Sequence, residues 1–142
     1  MKVTSLVLVA AVTVGFVGSL PSREIRAQSP PTKVLEALKA DLVGIKDHET
    51  VVQVADFPAG GGTPWHIHPD GHEIAYVLEG IWIAEAEGKP SRTLKAGDSI
   101  YIEPNVVHRA FNDNSGPTKI VVLRIKPKGK PITSIVEGYR PK

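Results

Sequence analysis

The sequence contains no cysteine, which excludes disulfides, thiolate metal ligands, cysteine nucleophiles and a lipidated N-terminal cysteine. Beyond its first twenty residues it has no long apolar run, repeat or low-complexity tract. It also lacks a charge excess once those early residues are discounted. "MKVTSLVLVAAVTVGFVGSL" puts one lysine before about fifteen apolar residues and a small-residue exit, the pattern of a secretory signal peptide. Cleavage fits after Ser19 or Ala27, with Ala27 preferred. An uncleaved anchor is the alternative, although the run falls slightly short of the roughly 20 residues a membrane span needs. Removing residues 1–27 takes Lys2, Arg23, Arg26 and Glu24 from 17 basic and 15 acidic residues, leaving 14 of each. A near-neutral mature chain carries no electrostatic footprint for nucleic acid. The expectation is an exported protein, periplasmic or secreted, with no stable membrane association after cleavage.

What is present is punctuation. Thirteen glycines and twelve prolines in 142 residues fall between short Val/Ile-rich runs, which points to one all-β domain rather than a helical one. Strands are expected at 49–57, 64–68, 73–79, 81–86, 91–94, 99–103, 107–112 and 118–126, with a weaker one at 132–136. Turn signals such as "PDG", "EGKP", "KAGD" and "NDNSGP" separate them. Regular spacing of this kind implies a closed antiparallel barrel or a sandwich. The boundaries expected are a signal peptide at 1–27, a lead-in at 28–48, the barrel at 49–136 and a tail at 137–142. In the lead-in, "VLEALKADLVGI" leaves helical and strand periods in competition.

The chemistry concentrates in "GGGTPWHIHPDGHEIAYVLEG", residues 60–80, which holds three of the five histidines. A strand sends residues i and i+2 to one side, so His66 and His68 share a face with Ile67 opposite. "PDG" turns the chain, and Glu73 starts the returning strand beside the two imidazoles. Two neutral nitrogens and a carboxylate converging inside a barrel suit a divalent metal. A fourth ligand is available in "PNVVHRAFN", where His108 has the small Ala110 as its neighbour on the same face.

These residues resemble the cupin superfamily. Gly60, His66, His68, Glu73 and Gly80 stand at the spacing of its first motif, and Gly97, His108 and Asn112 at that of its second. The two motifs cover 53 residues, with sixteen between Gly80 and Gly97. The resemblance implies an all-β, single-domain antiparallel β-barrel of cupin (jelly-roll) type, with His66, His68, Glu73 and His108 holding one divalent ion. Two departures fall in the second motif. Glu103 stands where the family usually has proline and Asn105 where it usually has glycine, a site that wants positive φ, which asparagine tolerates next best. Glu103 is read as solvated rather than catalytic.

The resemblance also implies an activity. Three imidazoles and one carboxylate leave coordination positions open, as catalytic rather than structural sites do. Fe, Mn, Ni and Cu would support dioxygen chemistry there, and Zn only Lewis-acid chemistry. The expectation is a metal-dependent, dioxygenase-like oxidoreductase acting on a small organic substrate, similar to quercetinase-like cupins, in which Glu73 serves as ligand and then as base. The alternatives are a non-catalytic small-ligand or sugar-binding module and a non-redox isomerase or lyase.

Other residues have plainer expectations. His72 faces away from the ligands, His48 is solvated, and Trp65, Tyr76, Trp82, Tyr101 and Phe111 belong to the core or an interface. Asn112 either approaches the site or stabilises a strand end. "KIVVLRI" (119–125) is apolar on both faces, which suggests a homodimer formed through the sheet.

Overall fold

Alternation governs the strands. In the computed structural model, which describes residues 31–113 and 115–141, ten strands form and no residue is helical among those described. β1 covers Lys33–Asp41, β2 His48–Phe57, β3 His66–Ile67, β4 His72–Glu79 and β5 Ile81–Ala86. β6 covers Arg92–Lys95, β7 Ser99–Ile102, β8 His108–Asn112, β9 Thr118–Pro127 and β10 Ser134–Ile135. The expected signal peptide lies outside the described residues. Every strand expected from the sequence is present within a residue or two, except that the first and last histidine-face strands, β3 and β10, are shorter than the pattern suggested.

The strands build two five-stranded antiparallel sheets, ordered β1-β2-β9-β4-β7 and β10-β3-β8-β5-β6. Along β2, Glu49, Val51, Ala55 and Phe57 are buried. Ala75 and Val77 on β4 and Ile120 and Val122 on β9 face the same interior. With Trp82, Ala84, Leu94 and Ala110 from the second sheet, they make one apolar core between the layers. Phe57 and Trp82 pack with ring centroids 4.2 Å apart.

The competition in the lead-in resolves as a strand. β1 pairs along β2 with an irregularity between Glu36 and Leu38, and nearly all of it is exposed. The chain gains more from hydrogen bonds to the otherwise open edge of β2 than from a helix with nothing to pack against.

Two turns carry the motif's special residues. Gly80 has φ +79°, and a Cβ there would lie 2.4 Å from the Pro117 carbonyl oxygen, so only glycine fits between β4 and β5. Asn105 takes φ 63°, the left-handed conformation expected where the family has glycine. Its side chain secures the turn, accepting from the Asp70 amide at 3.0 Å and donating to the Asp70 carboxylate at 3.0 Å. Asn112 is a strand-end tie. Its Oδ1 accepts from the Gly60 amide at 2.6 Å and its Nδ2 donates to the Pro58 and Gly116 carbonyls, fastening the "PAGGG" loop to β8.

Candidate metal centre

The four ligands expected from the sequence come together. β3 pairs with β8 through His66 opposite His108, and His68 follows on the same side as His66. Glu73 enters from β4 in the facing sheet. All four residues are buried, and one donor atom from each lies within 4.8 Å of the others. The rings stand close: His66 to His108 at 4.2 Å, and His68 to each of the other two at 5.0 Å.

Each ring is oriented by a backbone carbonyl. His66 Nδ1 donates to Pro64 at 2.7 Å, His68 Nδ1 to Ile132 at 2.5 Å, and His108 Nδ1 to Val106 at 2.9 Å. A carbonyl accepts only, so Nδ1 carries the proton and, in the neutral ring, Nε2 presents a lone pair. This is the outer support that metal-ligating histidines use to fix tautomer and ring plane.

The inner atoms have no such partners. His68 Nε2 and His108 Nε2 are buried without a hydrogen bond; His68 Nε2 approaches Glu73 Oε2, itself buried, to 2.6 Å, and His108 Nε2 stands 4.0 Å from Oε1. Buried acceptors pressed together without an aligned proton are costly. A divalent cation satisfies all of them at once, and this donor set fits one.

Electrostatics agree. Burial pushes the His66 imidazole down to about 4, helped by His108 beside it, and burial lowers His108 as well. For Glu73, burial acts to raise the pKa, but His68 and the Arg124 guanidinium outweigh it and hold the carboxyl at about 2. Neutral imidazoles and an ionised carboxylate are the protonation states that ligation requires.

Arg124 and Gln53 were not among the residues singled out from the sequence. Arg124 is the cross-strand partner of Glu73, with Nη2 2.7 Å from Oε2, and its Nη1 donates to Gln53 Oε1 at 2.6 Å. The signal lay in "KIVVLRI": Ile120, Val122 and Arg124 alternate inward, so the strand carries a charge at a position its pattern reserves for the core. Both residues line a cavity of about 430 Å³ together with His66, Glu73 and His108, and Phe57, Trp82, Ile120 and Val122 supply much of its apolar wall. Trp82 thus serves core and cavity wall together.

Several residues lie elsewhere. His72 is exposed and shares a 2.6 Å hydrogen bond with the Tyr101 hydroxyl, and Tyr76 is exposed on the same strand. His48 begins β2, half-buried, with Nδ1 2.8 Å from the Lys46 carbonyl. Trp65 packs against Tyr139 at 4.8 Å and beneath Arg109, which also reaches over Phe111. Glu103 is ion-paired with Lys89.

A match to the Cupin domain family spans residues 53–124, half of the chain, from the middle of β2 to Arg124. The chain belongs to the cupins. Bacillus subtilis YdbB is 40% identical over 65 residues, 46% of this cupin and 54% of YdbB, so the match spans about half of that relative's length. A cupin-like protein from Thermotoga maritima is 32% identical at a TM-score of 0.53, covering 74% of each chain. An oxalate oxidase solved with the substrate analogue glycolate is 26% identical at a TM-score of 0.54, covering 61% of this cupin and 46% of that chain.

Proposed function

We propose that this cupin is an exported, metal-dependent oxidoreductase of the dioxygenase kind, acting on a small organic substrate at the His66, His68, Glu73 and His108 centre. The observation that carries it is the opening of that centre onto the cavity: three of the four ligands also line it. A closed structural site would be wrapped by its own side chains instead. The similarity to an oxalate oxidase supports oxidative chemistry.

A redox-active divalent ion bound there supplies electron exchange with dioxygen and substrate. The chain's own residues do the rest. The three imidazoles hold fixed tautomers, so ring rotation is removed from the reaction coordinate. The apolar wall excludes water. Glu73, ionised and facing the cavity, accepts the proton of a bound enol or phenol through a carboxylate oxygen.

The test is to load the protein separately with Fe, Mn, Ni, Cu and Zn and to follow oxygen consumption with catechols, flavonols and β-diketones. Metal-dependent oxygen uptake is expected, with substrate turnover that stops under anaerobic conditions. Turnover that continues anaerobically would replace this reading with an isomerase or lyase. No turnover beside tight ligand binding would replace it with a binding module.

A further inference from the structure

Buried charge in the cavity does not balance once the metal is counted. Arg124 is nearly enclosed, its side chain 11% exposed, and a guanidinium does not give up its proton under protein conditions. Without metal, Arg124 and Glu73 neutralise each other. A divalent ion adds two positive charges, while the imidazoles ligate in neutral form, so ion, guanidinium and carboxylate together carry about +2 in a low-dielectric space. Glu73 is the one acidic residue among the described residues lining that cavity. The other buried acid, Glu49, is committed to Lys126 at 2.6 Å. An anionic ligand would reduce that surplus, a single carboxylate to about +1.

We propose that Arg124, oriented by Gln53, selects a small organic carboxylate with an apolar body, whose head group takes the guanidinium beside the metal. Gln53 holds Nη1 at 2.6 Å, which fixes the guanidinium plane. Nη2 lies against Glu73, and Nε is buried with no hydrogen-bond partner. Two of the five N–H groups are thus engaged by the protein, and the guanidinium, which lines the cavity, is a planar fork that matches a carboxylate. Phe57, Trp82, Ile120 and Val122 form an apolar wall that suits the rest of such a molecule, and about 430 Å³ is within the range of small-molecule sites. A neutral ligand of the same shape would leave the surplus charge uncompensated, and a cation would add to it.

This selectivity rests on the metal centre proposed above but not on its oxidative chemistry. The test is calorimetric titration of the full chain, loaded with redox-inert zinc, against benzoate, benzamide and benzylamine. Benzoate should bind about tenfold or more tightly than benzamide, and benzylamine not measurably. Arg124→Gln should retain one zinc per chain yet bring benzoate to within about threefold of benzamide. Arg124→Lys keeps the charge against Glu73, so it serves if the glutamine variant fails to fold; with the fork lost, its preference should fall between the two. Equal binding of benzoate and benzamide by the wild type, or an undiminished preference in a zinc-retaining Arg124 variant, would overturn the proposal. A benzoate preference without oxygen uptake for any substrate and metal leaves Arg124 in this role and removes only the dioxygenase. Failure to take up zinc or any other divalent ion removes both.

Discussion

Arg124 on β9 stands directly across the strand pair from Glu73 on β4, its Nη2 2.7 Å from Oε2, with both side chains only 11% exposed. A carboxylate of the candidate metal cluster is therefore also the counter-ion of a buried guanidinium. Glu73 has work to do even in metal-free protein.

Glu73→Gln separates these duties. Losing one member of a buried ion pair strands the other, at a cost of about 3 kcal/mol. In urea, the metal-free variant should be about 3 kcal/mol less stable than metal-free wild type, with a lower midpoint, and it should bind metal at least tenfold more weakly. Equal urea midpoints for the two metal-free proteins would show that Arg124 has no need of the carboxylate.

His66→Ala should release metal and leave the barrel folded, because the strands are held by the core around Val77, Trp82 and Ile120 rather than by the ion. Chelation of wild type should likewise lower the melting temperature without abolishing the transition. Restoring metal at 100 times its dissociation constant should return about 2.7 kcal/mol. An unfolded spectrum for chelated protein would contradict this.

The pH response follows from the histidines. His66 is pulled down to about 4 and His108 is also lowered, whereas unfolded histidine titrates near ~6.5. Between those values the unfolded chain binds protons that the folded chain refuses, so metal-free stability should fall as pH drops from about 6.5 toward 4. Glu73, held at about 2, adds a loss of the same sign below its unfolded value of ~4.5. Glu73 acts the other way on both histidines, but burial outweighs it, aided at His66 by His108 and at His108 by Arg124. Free-histidine values alone would put metal loss near pH ~6; burial should move half-occupancy below that. Metal content after dialysis across pH 3–7 checks it, and release complete by pH 6 would refute it.

A homodimer through the five-stranded β1-containing sheet is proposed from its outer side, where Leu35, Leu38, Ile74, Tyr76 and Leu78 are 41–66% exposed. Apolar side chains so placed on one sheet form a patch that a second copy would cover symmetrically. Sedimentation should give twice the chain mass, and Tyr76→Lys with Leu78→Lys should give monomer with the metal site intact. A wild-type monomer would remove the proposal.

The convergence of the four donors was legible because strand geometry is strict. Period two puts His66 and His68 on one side, and the "PDG" turn brings Glu73 back to them. The positive φ of Asn105 was readable too, since few residues tolerate it. Arg124 escaped notice because an isolated charge in an apolar run looks the same from either face until the strand's inward set is known. "VLEALKADLVGI" was ambiguous for a related reason: its pattern admits both periods, and only the open edge of β2 chooses between them.

By itself, then, the sequence determined the all-β barrel, its turns and the four converging donors, all consequences of local alternation and turn chemistry. The tertiary structure alone decided what surrounds those donors. The Ile132 carbonyl that aims His68, the guanidinium against Glu73 and the apolar chamber beside them come from segments distant in the chain, whereas His66 and His108 are aimed by carbonyls two residues before them. Which of those segments meet depends on strand order and register, and pairing across two sheets is not written in any single stretch of residues.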